Sequence, residues 1–426
     1  MTGRWRVMSV DRREFQRRCW AQAVGLAGLG GTLGTLGTLG TLGTPATASP
    51  SRAGASPLVV WFTVEGAKGM RRIAQDFTRD TGVEVVVETP DDGPAKFQQA
   101  ASAGKGPDIY IYAHDRIGEW IAGGLIHAVT PSQPLLDDVD PLAWKGFSSR
   151  GRLWGYPYSI EAITLVYNKA LVATPPKNFD EVIALDNRLK AQGKRAILWD
   201  YTNSYFTWPL FAAQGGYAFK ARADGTVDVT DTGVNNAGAL AAARVLDRLI
   251  REGRMPVGSG YPEMEAAMAQ GHVAMMINGP WSWVNLQRVK MDFGVAKIPM
   301  VGSKSAVPFV GVKGFMINRA TRHRELAVEF IEHYLMSTAG LRAIDRAEPI
   351  GAPASKAYFA EVVANPRVGD KIATVMASAR DGLPTPSNPE MGRFWAAMKT
   401  SLTNLSEGRQ SPQQALDAAA RRILQP

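Results

Sequence analysis

The sequence predicts an α/β protein of two lobes, each a central sheet covered by helices. Three observations carry this. The chain of 426 residues is too long for one typical domain, so two is the natural expectation. Hydrophobic residues make up 45% and charged residues 20%, a globular balance. Short apolar runs alternate with stretches of helical periodicity, first from Leu58 to Tyr112 and again from Ile163 onward.

The elements follow in order. Leu58–Phe62 reads as an apolar strand, and Met70, Ile73, Ala74 and Phe77 then recur at helical spacing, with Gly82 placed to end that helix. Val83, Val85 and Val87 form the next strand, bounded by Pro90. A helix around Ala95–Ala103 leads to a strand at Ile109–Tyr112. This β-α-β-α-β order predicts a parallel sheet. A second unit holds a strand at Ile163–Tyr167, a helix near Phe179–Ala191, a strand at Ala196–Trp199, a long helix near Asn235–Glu252 and a strand at Val273–Ile277. The segment Tyr156–Glu161 joins the units, and a pocket between lobes is a common location, which places Glu161 near a cleft.

The first 48 residues read as an export segment. They hold six arginines against Asp11 and Glu14, with Arg12-Arg13-Glu14-Phe15 resembling the twin-arginine motif, although Asp11 stands where Ser or Thr is usual. A weakly apolar, low-complexity run follows, and Ala46-Thr47-Ala48 offers a small-x-small cleavage site. Met8 is an alternative start, and the single cysteine, Cys19, would be lost on cleavage. The mature chain therefore relies on its core rather than on disulfides. The net charge of +9 is concentrated in part in this segment. Beyond it, basic and acidic residues interleave as on a solvated surface, which argues against a nucleic-acid partner.

Candidate binding residues gather at strand ends. In Gly106–Arg116 (GPDIYIYAHDR) a strand delivers His114, Asp115 and Arg116 side by side, with the flat ring of Tyr112 just before them. Ligands of open α/β sheets bind outside the carboxyl ends of strands. The loop Thr63–Lys68 should reach the same sheet edge, which adds Glu65. Trp281 follows a second strand, Trp395 follows a proline-rich turn, and Tyr205 lies in SYFTWP. Several rings at such positions, together with charged groups, suit a polyhydroxylated ligand with apolar faces.

The segments VVWF, TGVEVVVETPD, GPDIYIYAHDR, YNKALV, SYFTWPL, AAQGGYAFK, AMMINGPWSW, PFVGV and EGRQSPQQAL run in order through the chain. Together they resemble the periplasmic maltose/maltodextrin-binding proteins of bacterial ABC importers, and the resemblance spans Leu58 to Ile423. It implies the type II periplasmic-binding-protein fold with three hinge crossovers, an N-lobe of 57–159 and 315–362, and a C-lobe of 160–310 and 367–426. It further implies sugar contacts at Glu65, Tyr112, Asp115, Arg116, Glu161, Tyr205, Tyr261, Trp281 and Trp395, with Asn203, Lys399 and Lys68 as further positions. The implied function is capture of maltose, maltodextrin or a related α-glucoside by a periplasmic monomer. The cargo then passes to an inner-membrane permease with its ATPase, without cofactor, metal or catalysis.

The chain departs from the family pattern at several of these positions. Gly66 follows Glu65 where the family has lysine, Tyr112 replaces tryptophan, Pro94-Ala95 replaces paired glutamates, Asn203 replaces glutamate and Lys399 replaces arginine. These flanks leave trehalose or another glucoside open as the cargo. A glycoside hydrolase is the reading from another class, because two carboxylates in a sugar cleft are its basic equipment. Nothing marks Glu65, Asp115 or Glu161 as a proton donor across a scissile bond.

Overall fold

A computed structural model describes residues 56–222 and 226–425; the predicted export segment, its cleavage site and Cys19 lie outside them. Two separate sheets, each flanked by helices, form the frame. The first contains β1 (Leu58–Trp61), β2 (Val85–Glu88), β3 (Ile109–Ala113), β4 (Tyr156–Ala162), β9 (Phe309–Ile317), β10 (Ala352–Pro353) and β11 (Leu383–Pro384). Its order is β10-β4-β9-β3-β1-β2, with β11 paired to β9. The second contains β5 (Thr164–Asn168), β6 (Arg195–Leu198), β7 (Val273–Asn278) and β8 (Phe293–Ala296), in the order β8-β5-β7-β6.

The first sheet is mixed, which corrects the all-parallel expectation. β2, β1 and β3 run parallel, but β9 enters between β3 and β4 and is antiparallel to both. Local periodicity cannot reveal a partner strand about 200 residues away. Tyr156–Glu161 is likewise a buried strand rather than a linker, and the chain passes from β4 to β5 through Ile163 alone. Residues from Tyr156 to Val166 are almost continuously buried, so the core runs through this crossing. Helix Gly369–Asp381 packs against both sheets, and Ser378 Oγ donates to the Ile163 carbonyl at 2.9 Å.

The helices show why their sequences fold as they do. In α1 (Val64–Thr81) the predicted stripe Met70, Ile73, Ala74 and Phe77 is buried, and Gly82 ends the helix at φ 73°, a conformation open to glycine without strain. The expected loop Thr63–Lys68 is instead the first turn of α1, because Thr63 caps it by accepting from the Gly66 N–H at 3.0 Å. Further helices are α2 (Gly93–Ser102), α3 (Phe179–Lys190), α4 (Ser204–Ala213), α5 (Ala237–Arg251), α6 (Tyr261–Ala269) and α7 (Met391–Ser406). No described helix is long and apolar enough to cross a membrane.

Candidate functional site

β3 ends in a single 3₁₀ turn, His114–Arg116, that is pinned from within. Buried His114 accepts from the Val312 N–H through Nδ1 at 3.0 Å and meets the Thr385 carbonyl through Nε2 at 2.9 Å. That pair of partners requires the neutral ring with its proton on Nε2. Burial pushes the imidazole below its ordinary pKa and outweighs the opposing pull of Asp115. His114 is therefore a clamp between β3, β9 and the segment after β11.

The clamp sets Asp115 beside it. The Asp115 carboxylate is largely buried and its Oδ1 has no hydrogen-bond partner. Burial raises its pKa, while His114 and Arg116 pull it down. A buried acceptor left unpaired is costly, which makes it a natural place for a ligand donor. Arg116 turns away: its guanidinium pairs with Glu119 and approaches Gln98 Oε1 at 3.5 Å. Tyr112 stacks on Tyr110 at 5.8 Å, and Tyr110 stacks on Phe97 at 4.4 Å.

Glu161, near the end of β4, is mostly buried and pairs with Lys313 Nζ of β9 at 3.0 Å. The same ammonium lies 3.6 Å from Glu348, whose other oxygen accepts from the Thr63 hydroxyl. The start of α1 thus adjoins this cluster. Glu65 itself does not join it. Exposed on the first turn, it pairs with Lys68 at 2.7 Å, so these two predicted residues satisfy each other.

Around the second sheet the predicted aromatics are half-buried, unlike the fully buried Trp120, Trp199 and Trp208 of the core. Trp281, in the turn after β7, lies 6.4 Å from the ring of Tyr205. Tyr261 donates to Glu265 at 3.0 Å and accepts from Asn278 at 3.3 Å. Burial first, against the hydrogen bond from Asn278, pushes its phenol up to about 12. Tyr205 and Trp281 are brought within reach of the charged residues. The Tyr205 phenol is raised chiefly by burial and then by the fields of Glu161 and Asp115, and Pro280 packs near Gly351 beside Glu161.

Asn203 caps α4 by accepting from the Tyr205 N–H at 3.1 Å. Beside that cap is a cavity of about 520 Å³ lined by Asp200, Asn203, Tyr205, Gly260, Trp395 and Lys399. It gathers four predicted positions in one place. A larger concavity, about 680 Å³, runs along α1 and β2 past Arg71, Gln75 and Val85 and holds none of the predicted site residues.

Sequence reasoning missed Lys313, Glu348 and Asp200. A signal existed only for the first: a lone cation inside the apolar run FVGVKGFMI. Its partners lie far off in sequence.

Two sheets flanked by helices, with polar groups and half-buried rings at the crossing between them, are the architecture of a solute-binding protein. Residues 63–339 match the family model "Bacterial extracellular solute-binding protein", and the chain belongs to that family. Within it, the chain is similar to a galactooligosaccharide-binding protein of Bacillus subtilis, with 26% identity over 88% of this chain and 90% of the relative. It is also 30% identical to a maltodextrin-binding protein of the same organism over 78% of each chain. A maltooligosaccharide ABC transporter solute-binding lipoprotein of Streptococcus pneumoniae is 26% identical over 87% of this chain and 89% of its own length.

Proposed function

We propose that this protein is the sugar-capturing component of an ABC importer, with maltodextrin or a related α-glucoside as cargo. The observation that carries the reading is the buried, unpartnered Asp115 oxygen, whose field reaches Tyr205 together with that of Glu161. Neutral sugars offer hydroxyl donors for such acceptors and C–H faces for rings. The relatives named for maltodextrin, maltooligosaccharide and galactooligosaccharide binding support an oligosaccharide.

In this reading the lobes comprise 57–159 with 315–362, and 160–310 with 367–426. They close by a hinge on a ligand that touches both. Glu161, Asp115, Tyr112, Tyr205, Tyr261, Trp281 and Trp395 line the cleft, with Asn203 and Lys399 extending it. Arg116 would exchange Glu119 for the sugar, and Glu65 with Lys68 would form the rim. The chain acts as a periplasmic monomer, released from its twin-arginine-like signal after Ala48, and delivers its cargo to a membrane permease with its ATPase. Binding rather than hydrolysis is favoured because Glu161 is held by Lys313 and Glu65 by Lys68. Asp115 alone of the three is buried and unpaired, so the predicted carboxylates do not supply the two free groups that glycoside hydrolysis needs.

The test is a titration of the mature chain, followed by tryptophan fluorescence, with maltose, maltotriose, trehalose, sucrose and galactotriose. Saturation by maltotriose at the lowest concentration is the expected result. Tighter binding of trehalose or galactotriose would replace the cargo, and release of glucose from maltotriose would replace the class.

A further inference from the structure

Lys313 is a mostly buried cation in the middle of an apolar strand, and the fold makes a special arrangement for it. The pairing of β9 with β4 shifts register between Lys313 and Gly314, a bulge of the kind that re-aims a side chain. Gly314 is required there: a Cβ would lie 2.5 Å from the Phe147 ring and 2.9 Å from the Tyr156 carbonyl. The bulge thus presents Lys313 to Glu161 at 3.0 Å and to Glu348 at 3.6 Å.

We infer that Lys313 is the positioning residue of the cleft, holding Glu161 and Glu348 as fixed acceptors for the hydroxyls of an uncharged sugar. The inference rests on the sugar-binding reading above. One ammonium faces two carboxylates, Glu161 and Glu348, so the cluster keeps excess negative charge and should reject acidic sugars. Glu161 Oε1 is engaged by the ammonium, which leaves acceptor capacity at the other oxygen for a ligand. The groups around this pair come from several neighbouring elements: Tyr158 on β4, Tyr112 on β3, Glu348 after helix Thr338–Ala347, and Tyr205 on α4. Burial alone would lower the lysine's pKa, but Glu161, Tyr158 and Glu348 more than offset it and keep the ammonium charged.

The experiment measures sugar affinity from pH 7.5 down to pH 4.5 for the mature chain and for Lys313→Met, Lys313→Gln and Lys313→Arg. The probe is whichever neutral sugar of the panel the wild type binds most tightly. Lys313→Met should weaken binding roughly tenfold at pH 7.5, and its affinity should begin to fall at a higher pH than that of the wild type. Lys313→Arg should restore both affinity and profile to within about threefold. If Lys313→Met does not fold, Lys313→Gln, which keeps a donor but no charge, carries the same expectation. Wild-type affinity in the neutral variants overturns the inference. So does an equal loss in all three variants with an unchanged pH profile, because that pattern reports packing. A wild type that binds no sugar of the panel overturns the functional reading itself.

Discussion

The residues gathered around the first sheet are charged and held by strand pairing, ion pairs and the His114 clamp, with one Asp115 oxygen left open, whereas those around the second are half-buried rings. Asp115, Glu161, Glu348 and Lys313 sit within a framework of strand pairing and the His114 clamp. Tyr205, Trp281 and Trp395 come from a helix start, a 3₁₀ turn and a helix face, and each keeps part of its ring exposed. The difference assigns separate tasks. Hydrogen bonds to buried charges are directional and fix orientation. Ring faces supply contact area that tolerates sliding, and so accommodate length.

The largest effect expected from breaking this division is on the charged side. Asp115→Ala should reduce sugar affinity roughly tenfold to a hundredfold, since one hydrogen bond to a buried charge contributes about 1.5–3 kcal/mol. Calorimetric titration measures it, and an unchanged affinity would remove Asp115 from the site. On the aromatic side, Trp281→Ala or Trp395→Ala should cost roughly tenfold. A longer oligosaccharide should lose more than maltose in the Trp395 variant, because that ring borders the cavity beyond the cap of α4. Equal losses for both sugars would collapse the proposed division.

A smaller effect concerns the clamp. His114 is held neutral in the fold, while in the unfolded chain it takes up a proton below about pH 6.5. The unfolded state then binds more protons, so stability is lost as pH falls through that value. The melting temperature of the ligand-free protein should drop by roughly a few degrees between pH 7 and pH 5, with His127 contributing through the same sign of shift. His114→Gln should lower Tm at pH 7 and flatten the slope; an unaltered slope would assign the pH dependence elsewhere. The smallest effect is expected at the rim. Glu65→Gln should change affinity by less than about twofold, because the exposed Glu65–Lys68 pair contributes little. A tenfold loss would extend the charged wall to α1.

What the sequence revealed follows a physical boundary. The stripe Met70, Ile73, Ala74 and Phe77, the stop at Gly82 and the delivery of Asp115 at a strand end are local, and periodicity exposes them. Trp281 after its strand was legible for the same reason. Non-local contacts were not. The mixed character of the first sheet depends on β9, and the role of His114 depends on Thr385, a partner 271 residues away. The sequence reads Thr63–Lys68 as a loop, whereas the Thr63 hydroxyl caps a helix that carries Glu65 on its first turn. Lys313 became visible only once the bulge and its two carboxylates were in place.

The most direct test of the central claim, that charged and aromatic walls grip one neutral oligosaccharide together, is a double-mutant cycle on maltotriose affinity with Asp115→Ala and Trp281→Ala. The account predicts saturable binding by the wild type, a loss of roughly tenfold or more in each single variant, and the weakest binding in the double variant. Wild-type affinity in either single variant would contradict it.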